Sequence, residues 1–235
     1  MIAIARAETR MLLRNRLVAA TAILVPVVFA ATLILTQDNF GGSSIVAALL
    51  TIVIAALGVY ITATTTLAAR RQTLFLKRLR STTVTDASIL TGLLTPIVLI
   101  NLIQLTIILT VLAFTGSAPQ NIPMLIAGVL AVEGLFIGLA LCTAGVTNSP
   151  EHAQVTTLPV FFLAFGVAFW IALTGTEEFA LIKRLLPGGA AAELLIDAWN
   201  GTDTGAAIIT LLPTLAWVLV TFVVSTQIFR WEPRR

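Results

Sequence analysis

Few side chains in this sequence can do acid–base, nucleophilic or metal chemistry, and they are scattered. His152 is the only histidine and Cys142 the only cysteine. A zinc protease needs paired histidines, so one His does not make a metal site. A nucleophilic serine needs a base, and the apolar segments offer none. Glu177-Glu178 would need an arginine where Leu181 or Ile182 stands to form a paired-glutamate proteolytic motif. Cys142 lies in an apolar run and reads as packing. No Gly-rich phosphate loop is present, so nucleotide energy is not taken up by this chain itself. The reading is non-catalytic, with no cofactor and no metal.

Three polar side chains stand out because of where they are. Glu133, near the middle of the apolar run 122–146, costs at least about 2.5 kcal/mol as a charge at a bilayer centre. It is either part of a translocation path or proton-sensitive site, or a neutral carboxyl bonded to a neighbouring helix. Asn101 and Gln104 occupy adjacent turns of the run before it and are candidate partners for it, or interhelical glue.

The densest chemistry is the basic block Arg70-Arg71-Gln72-Thr73-Leu74-Phe75-Leu76-Lys77-Arg78-Leu79-Arg80. As a helix it carries an apolar and a basic surface. By itself it reads equally as a lipid-binding juxtamembrane stripe. Glu151-His152 follows Asn148-Ser149-Pro150, where Ser149 suits an N-cap and Pro150 the first helical position.

The elements that must position these residues are membrane helices. The chain has 235 residues, 58% hydrophobic and 11% charged, with mean hydropathy +1.01. Apolar runs of about 20 residues cross a bilayer as helices. Six are predicted: Leu17–Thr36, Ile45–Ala69, Ala87–Phe114, Ile122–Val146, Val155–Thr174 and Ala206–Phe229. The loops are short, so residues 17–235 form one transmembrane domain. The first run is too long for a signal peptide and lacks a small-residue cleavage site.

Lys and Arg placement gives the orientation. Twelve of the 14 basic residues fall on one set of loops: Arg6, Arg10, Arg14, Arg16, Arg70, Arg71, Lys77, Arg78, Arg80, Arg230, Arg234 and Arg235. Both termini are therefore expected to be cytoplasmic. The net charge of +3 follows from this layout and does not suggest nucleic acid.

Residues 1–16 put Arg6, Arg10 and Arg14 on one helical stripe, as in an interfacial helix or a plain positive-inside anchor. Glu8 interrupts the apolar side. Pro26, Pro96, Pro159 and Pro213 are expected to kink their helices. Gly58 and Thr62 to Thr66 give the second run a small, polar face suited to close packing. Residues 175–204 are external by charge yet largely apolar, with a break at Pro187-Gly188-Gly189. They read as a re-entrant helical hairpin, or as a surface loop anchored by Trp199. No internal repeat supports an inverted-repeat carrier.

Lys77-Arg78-Leu79-Arg80-Ser81-Thr82-Thr83-Val84-Thr85, followed by Ile89-Leu90-Thr91-Gly92-Leu93-Leu94, resembles the cytoplasmic segment of ABC type-2 exporter permeases. The six-span layout, the N-terminal interfacial helix, the hairpin before the last span and Leu186-Pro187 resemble that family too. The chain departs from the family pattern at Leu74, Phe75 and Thr83, where Gly, Thr and Pro are usual, and at Gln72, where an acid is common. The resemblance implies an all-α integral membrane protein with a coupling helix over about 70–82. It implies a separate ABC ATPase subunit holding ATP and magnesium, and a second permease copy or paralogue in a dimer. Lipids surround it, in the inner (plasma) membrane. Its cargo would be an amphipathic or hydrophobic drug, lipid or peptide, moved outward. Leu74, Phe75, Lys77, Arg78, Leu79 and Arg80 would meet the ATPase, Phe75 and Leu79 as apolar plugs. Pro150, Glu151 and His152 would form a smaller contact. Two other readings remain: a membrane scaffold or sensor recruiting a cytoplasmic partner, and a proton-coupled carrier using Glu133.

Overall fold

Apolar segments without water must satisfy their peptide groups internally, and a helix does this within one segment. The computed structural model describes residues 4–6, 8–10, 16–201 and 204–231, and no strand occurs among them. The protein is an all-helical, multi-pass membrane protein. Helix α1 is Arg16–Leu35, α2 Ser43–Gln72, α3 Phe75–Arg80, α4 Asp86–Thr115 and α5 Ile122–Val146. Helix α6 is Pro150–Thr174, α7 Ala180–Leu185, α8 Gly189–Asn200 and α9 Thr204–Ile228.

Five helices among the described residues are long and apolar enough to cross a membrane: α2, α4, α5, α6, and α9 over Ile208–Ile228. The sixth expected span, Leu17–Thr36, coincides with α1, whose described apolar stretch Leu24–Leu35 is shorter than a span. Five spans, not six, therefore stand on the described residues. Of the expected N-terminal helix, 4–6 and 8–10 are helical, and 1–3, 7 and 11–15 lie outside the described residues.

Helix ends follow the capping residues. Thr85 Oγ1 accepts from Ser88 N at the start of α4, Asn121 Oδ1 from Met124 N in α5, and Ser149 Oγ from His152 N in α6. Each satisfies an N–H that the first turn leaves free. Pro159 cannot donate to Val155, and α6 is irregular beside it at Thr157. Pro26, Pro96 and Pro213 lie inside continuous helices.

The core is built around α2, which is buried along most of its length and packs on α1, α4, α5, α6 and α8. Helices α5 and α9 run side by side. Gly138 faces Thr221, and a Cβ on Gly145 would lie 2.7 Å from the Ile228 carbonyl oxygen. Glycine lets the two backbones approach this closely.

The second half of the segment between α6 and α9 is not a surface loop. Leu194, Leu195, Ala198 and Trp199 are all buried, and α8 packs on α2, α5 and α9. Trp199 is 1% exposed and its Nε1 donates to the Ser117 carbonyl at 3.0 Å. It is a core residue and does not act as an interfacial anchor. Gln120 N and Asn121 N donate to the carbonyls of Trp199 and Ala198, so the α4–α5 loop caps the C-terminus of α8. Helix α7 is pinned by charge: Lys183 Nζ donates to Thr174 Oγ1 at 2.8 Å and the Gly175 carbonyl at 2.7 Å, placing a cation at the C-terminus of α6. Arg184 grips Glu193 through two bonds of 2.8 and 2.7 Å, and this pairing raises the pKa of its guanidinium further.

Candidate functional site

The basic block folds into two pieces. Arg70 and Arg71 finish α2, and Thr73-Leu74 forms a turn before α3. The expected single helix over about 70–82 is thus interrupted, and its second part is six residues long. The break is at Leu74, which has φ 57, in the left-handed region. Leu74 N donates to the Arg71 carbonyl, and the Leu74 carbonyl accepts from Arg78 N. Arg78 Nη2 returns to the Thr73 carbonyl at 2.9 Å, holding α3 against the end of α2.

This turn decides which apolar side chain is presented. Leu76 is fully buried, Phe75 and Leu79 are half-buried on the core, and Leu74 is 45% exposed. Phe75 and Leu79 are therefore partly spent on packing, and Leu74 is the outward apolar residue. Lys77, Arg78 and Arg80 are exposed. Arg80 lies 3.3 Å from Asp86 and its guanidinium sits 5.3 Å from the Trp231 ring centroid.

Two arginines carry roles that charge counting does not reveal. Arg71 is 2% exposed. Its guanidinium donates to the Thr147 carbonyl and to the Arg230 carbonyl, joining the ends of α2, α5 and α9. Arg70 pairs with Glu8 at 2.8 Å, with Glu8 almost wholly buried, and its guanidinium lies 5.2 Å from the Phe75 ring centroid. Glu8 thus breaks the apolar side of the N-terminal segment because it is a docking group. Positive and negative residues 62 positions apart give no periodic signal, so neither contact was legible. Glu8→Arg should loosen this segment by about 1–2 kcal/mol, read as roughly tenfold faster tryptic cleavage after Arg10. Adding Arg70→Glu should restore most of the protection, and cleavage unchanged in the single variant would refute the latch.

The turn after α5 lies close by. Pro150 opens α6, and Glu151 and His152 are exposed. The last part of α2, Thr62–Gln72, packs on Pro150–Thr156. Arg71 bridges to Thr147, so the two expected contact regions share one end of the bundle. Arg70, Arg71, Arg80 and Arg230 gather at that basic end, and Lys183 and Arg184 lie at the other.

The polar residues within the spans do not converge. Glu133 is 2% exposed, and neither carboxyl oxygen has a partner among the described residues. Asn101 is also buried, but its Nδ2 donates to the Ile54 carbonyl of α2 at 3.0 Å. Gly58 faces Asn101, whereas Tyr60, two positions on, reaches across to Thr143 of α5 at 3.0 Å. Two positions is about half a turn of helix. Asn101 and α5 therefore lie on opposite sides of α2, and Asn101 is no partner for Glu133. Gln104 is half-buried, one turn further along α4. Cys142 Sγ donates to the Thr221 carbonyl at 3.1 Å, a packing role. Among the described residues, no three His, Cys, Asp or Glu gather as a metal site.

No protein-family model and no curated protein matches the chain.

Proposed function

We propose that this chain is the membrane-spanning permease subunit of an ATP-driven exporter of the ABC type-2 class. It would move an amphipathic or hydrophobic compound outward across the plasma membrane. The observation that carries the reading is α3: a short helix at the basic end, with Leu74, Lys77 and Arg78 exposed and Leu76 rooted in the core. Such a helix offers a rigid, mixed apolar and basic surface to a soluble protein. A lipid-binding stripe needs charge but no such root.

In this reading the basic end and both termini face the cytoplasm, in accord with the positive-inside rule. A separate ATPase, holding ATP and magnesium, docks on Leu74–Arg80 with Pro150–His152 as a lesser contact. Its closure moves α3 as a rigid body, provided that its two states touch the helix differently. Helix α1 is the sixth span, and a second permease copy or paralogue completes the pathway. Helices α7 and α8 form a re-entrant hairpin, supported by the burial of Leu194, Leu195 and Trp199 among the spans.

The unpartnered carboxyl of Glu133 favours a second reading, a proton-coupled carrier. One experiment separates them. The chain is purified from its native membrane, tested for a co-isolated ATPase, and reconstituted in vesicles with an amphipathic dye. The exporter reading predicts an ATPase whose turnover depends on this chain, and dye movement that requires ATP. Movement driven by a proton gradient without ATP, and abolished by Glu133→Gln, would instead establish the carrier.

A further inference from the structure

Helix α2 changes its winding in the middle. Ser43–Ala55 and Thr62–Gln72 are α-helical, and Ala56–Ile61 between them is a π-helix. A π turn widens the helix and disturbs its ladder of main-chain bonds, so side chains often complete it. Two do so here. Asn101 Nδ2 donates to the Ile54 carbonyl at 3.0 Å, and Thr62 Oγ1 to the Leu57 carbonyl at 3.1 Å. A Cβ on Gly58 would run into the Asn101 amide, with Asn101 Cγ only 3.0 Å away. Glycine here leaves Asn101 room to reach the turn.

The halves of α2 differ in their main packing partners. Ser43–Ala55 packs chiefly on α4, α8 and the Leu158–Thr174 part of α6, and more lightly on α1 and α5. Thr62–Gln72 packs chiefly on α5 and the Pro150–Thr156 part of α6, and only slightly on α4. Helix α6 is itself irregular at Thr157, between those parts: Pro159 leaves the Val155 carbonyl without its helical donor, though Thr157 keeps helical dihedrals. Two neighbouring helices are thus both irregular, and their halves pair in register: the basic-end half of one with the basic-end half of the other.

We infer that the π turn Ala56–Ile61 and the irregular turn at Thr157 form a hinge, on which Thr62–Gln72 and Pro150–Thr156 move as one unit, with Asn101 as the latch. Asn101 Oδ1 is buried and has no partner among the described residues. A latch that is half satisfied in one state has an interaction to gain in another, which a residue that only fills the core does not. The hinge does not depend on what docks at the basic end: it requires only two packed bodies and a weak joint between them.

The test uses the full chain in nanodiscs, with Cys142→Ser and paired spin labels. Gln72→Cys with Thr115→Cys reports across the hinge, and Gln72→Cys with Gln154→Cys reports within the moving unit. Asn101→Leu, and separately Gly58→Ala, should shift or broaden the first distance by several ångström and leave the second unchanged. No change in either distance, or equal change in both, overturns the hinge. Should both variants fail to fold, hydrogen exchange on the Asn101 protein decides. Amides of 57–62 should exchange at least about tenfold faster than those of 46–55 and 64–71. Equal protection throughout α2 overturns the proposal.

Discussion

Replacing Leu74 by asparagine should leave the isolated chain at least as stable as before and, on the exporter reading, should cost it most of its grip on the ATPase. The two effects come from different properties of one residue. Leu74 holds φ 57, a conformation that costs an ordinary L-residue about 1–2 kcal/mol and that asparagine adopts more readily. Its side chain is 45% exposed, so truncation gives up only part of a leucine's packing. The expected change in stability is a gain of up to about 1 kcal/mol. At an interface, an apolar anchor of this kind carries about 2 kcal/mol or more, roughly a 30-fold loss of coupling. Thermal unfolding of the chain alone, and ATPase stimulation in the reconstituted pair, read the two effects separately. Phe179 supplies a control. It is the other non-glycine residue at positive φ among the described residues, it opens α7, and it lies at the opposite end. Phe179→Asn should show some stability gain, reduced by the lost contact with Trp170, and no loss of coupling. Intact coupling in Leu74→Asn, or equal loss in both variants, would remove the docking role. Phe75→Asp with Leu79→Asp makes a poorer test, because both side chains are half in the core and a failure to fold would look the same.

The turn at Leu74 and the burial of Arg71 show how far sequence reasoning reached. Apolar run length located α2, α4, α5, α6 and α9, because a span must satisfy its own backbone whatever its neighbours are. Ile122–Val146 even matches its predicted ends, set by Asn121 at one and Thr147 at the other. Pro187-Gly188-Gly189 marked the break between α7 and α8, where Gly188 has φ 90. What was hidden depends on partners distant in sequence. Glu8 looked like a flaw in an amphipathic stripe until Arg70 stood opposite it. Asn101 pointed to Glu133 by composition, but the rotation of α2 between Gly58 and Tyr60 sends them to opposite sides. Within Ala-Leu-Gly-Val-Tyr-Ile only Gly58 hints at the π turn, and the side chain that bonds beside it, Asn101, comes from α4.

Arg71→Met should be the most destabilising single change at the basic end, at about 2–4 kcal/mol, although the neighbouring Arg78 can change at little cost. Both looked alike as positive-inside charges. Their surroundings differ. Arg78 is exposed and makes one bond to the turn before it, so water replaces what it loses. Arg71 is buried, and its planar guanidinium meets the carbonyls of Thr147 and Arg230 together. Thr147 caps the C-terminus of α5, where helices leave carbonyls unbonded and a cation is favoured, and Arg230 lies just beyond the end of α9. Methionine fills similar volume but donates nothing, so the buried Thr147 carbonyl loses its donor and the tie to the segment after α9 is lost with it. Lysine keeps the charge without the fork, and Arg71→Lys should recover less than half of the loss. Detergent-solubilised unfolding midpoints for Arg71→Met, Arg71→Lys and Arg78→Met give the order directly. Equal midpoints for Arg71→Met and Arg78→Met would mean that the clamp carries no weight. If the order holds, the clamp also bears on coupling. On the exporter reading, a partner pushing on α3 acts one turn away from a side chain tied to the ends of α5 and α9, so Arg71→Met should weaken transmission of movement even in the fraction that remains folded.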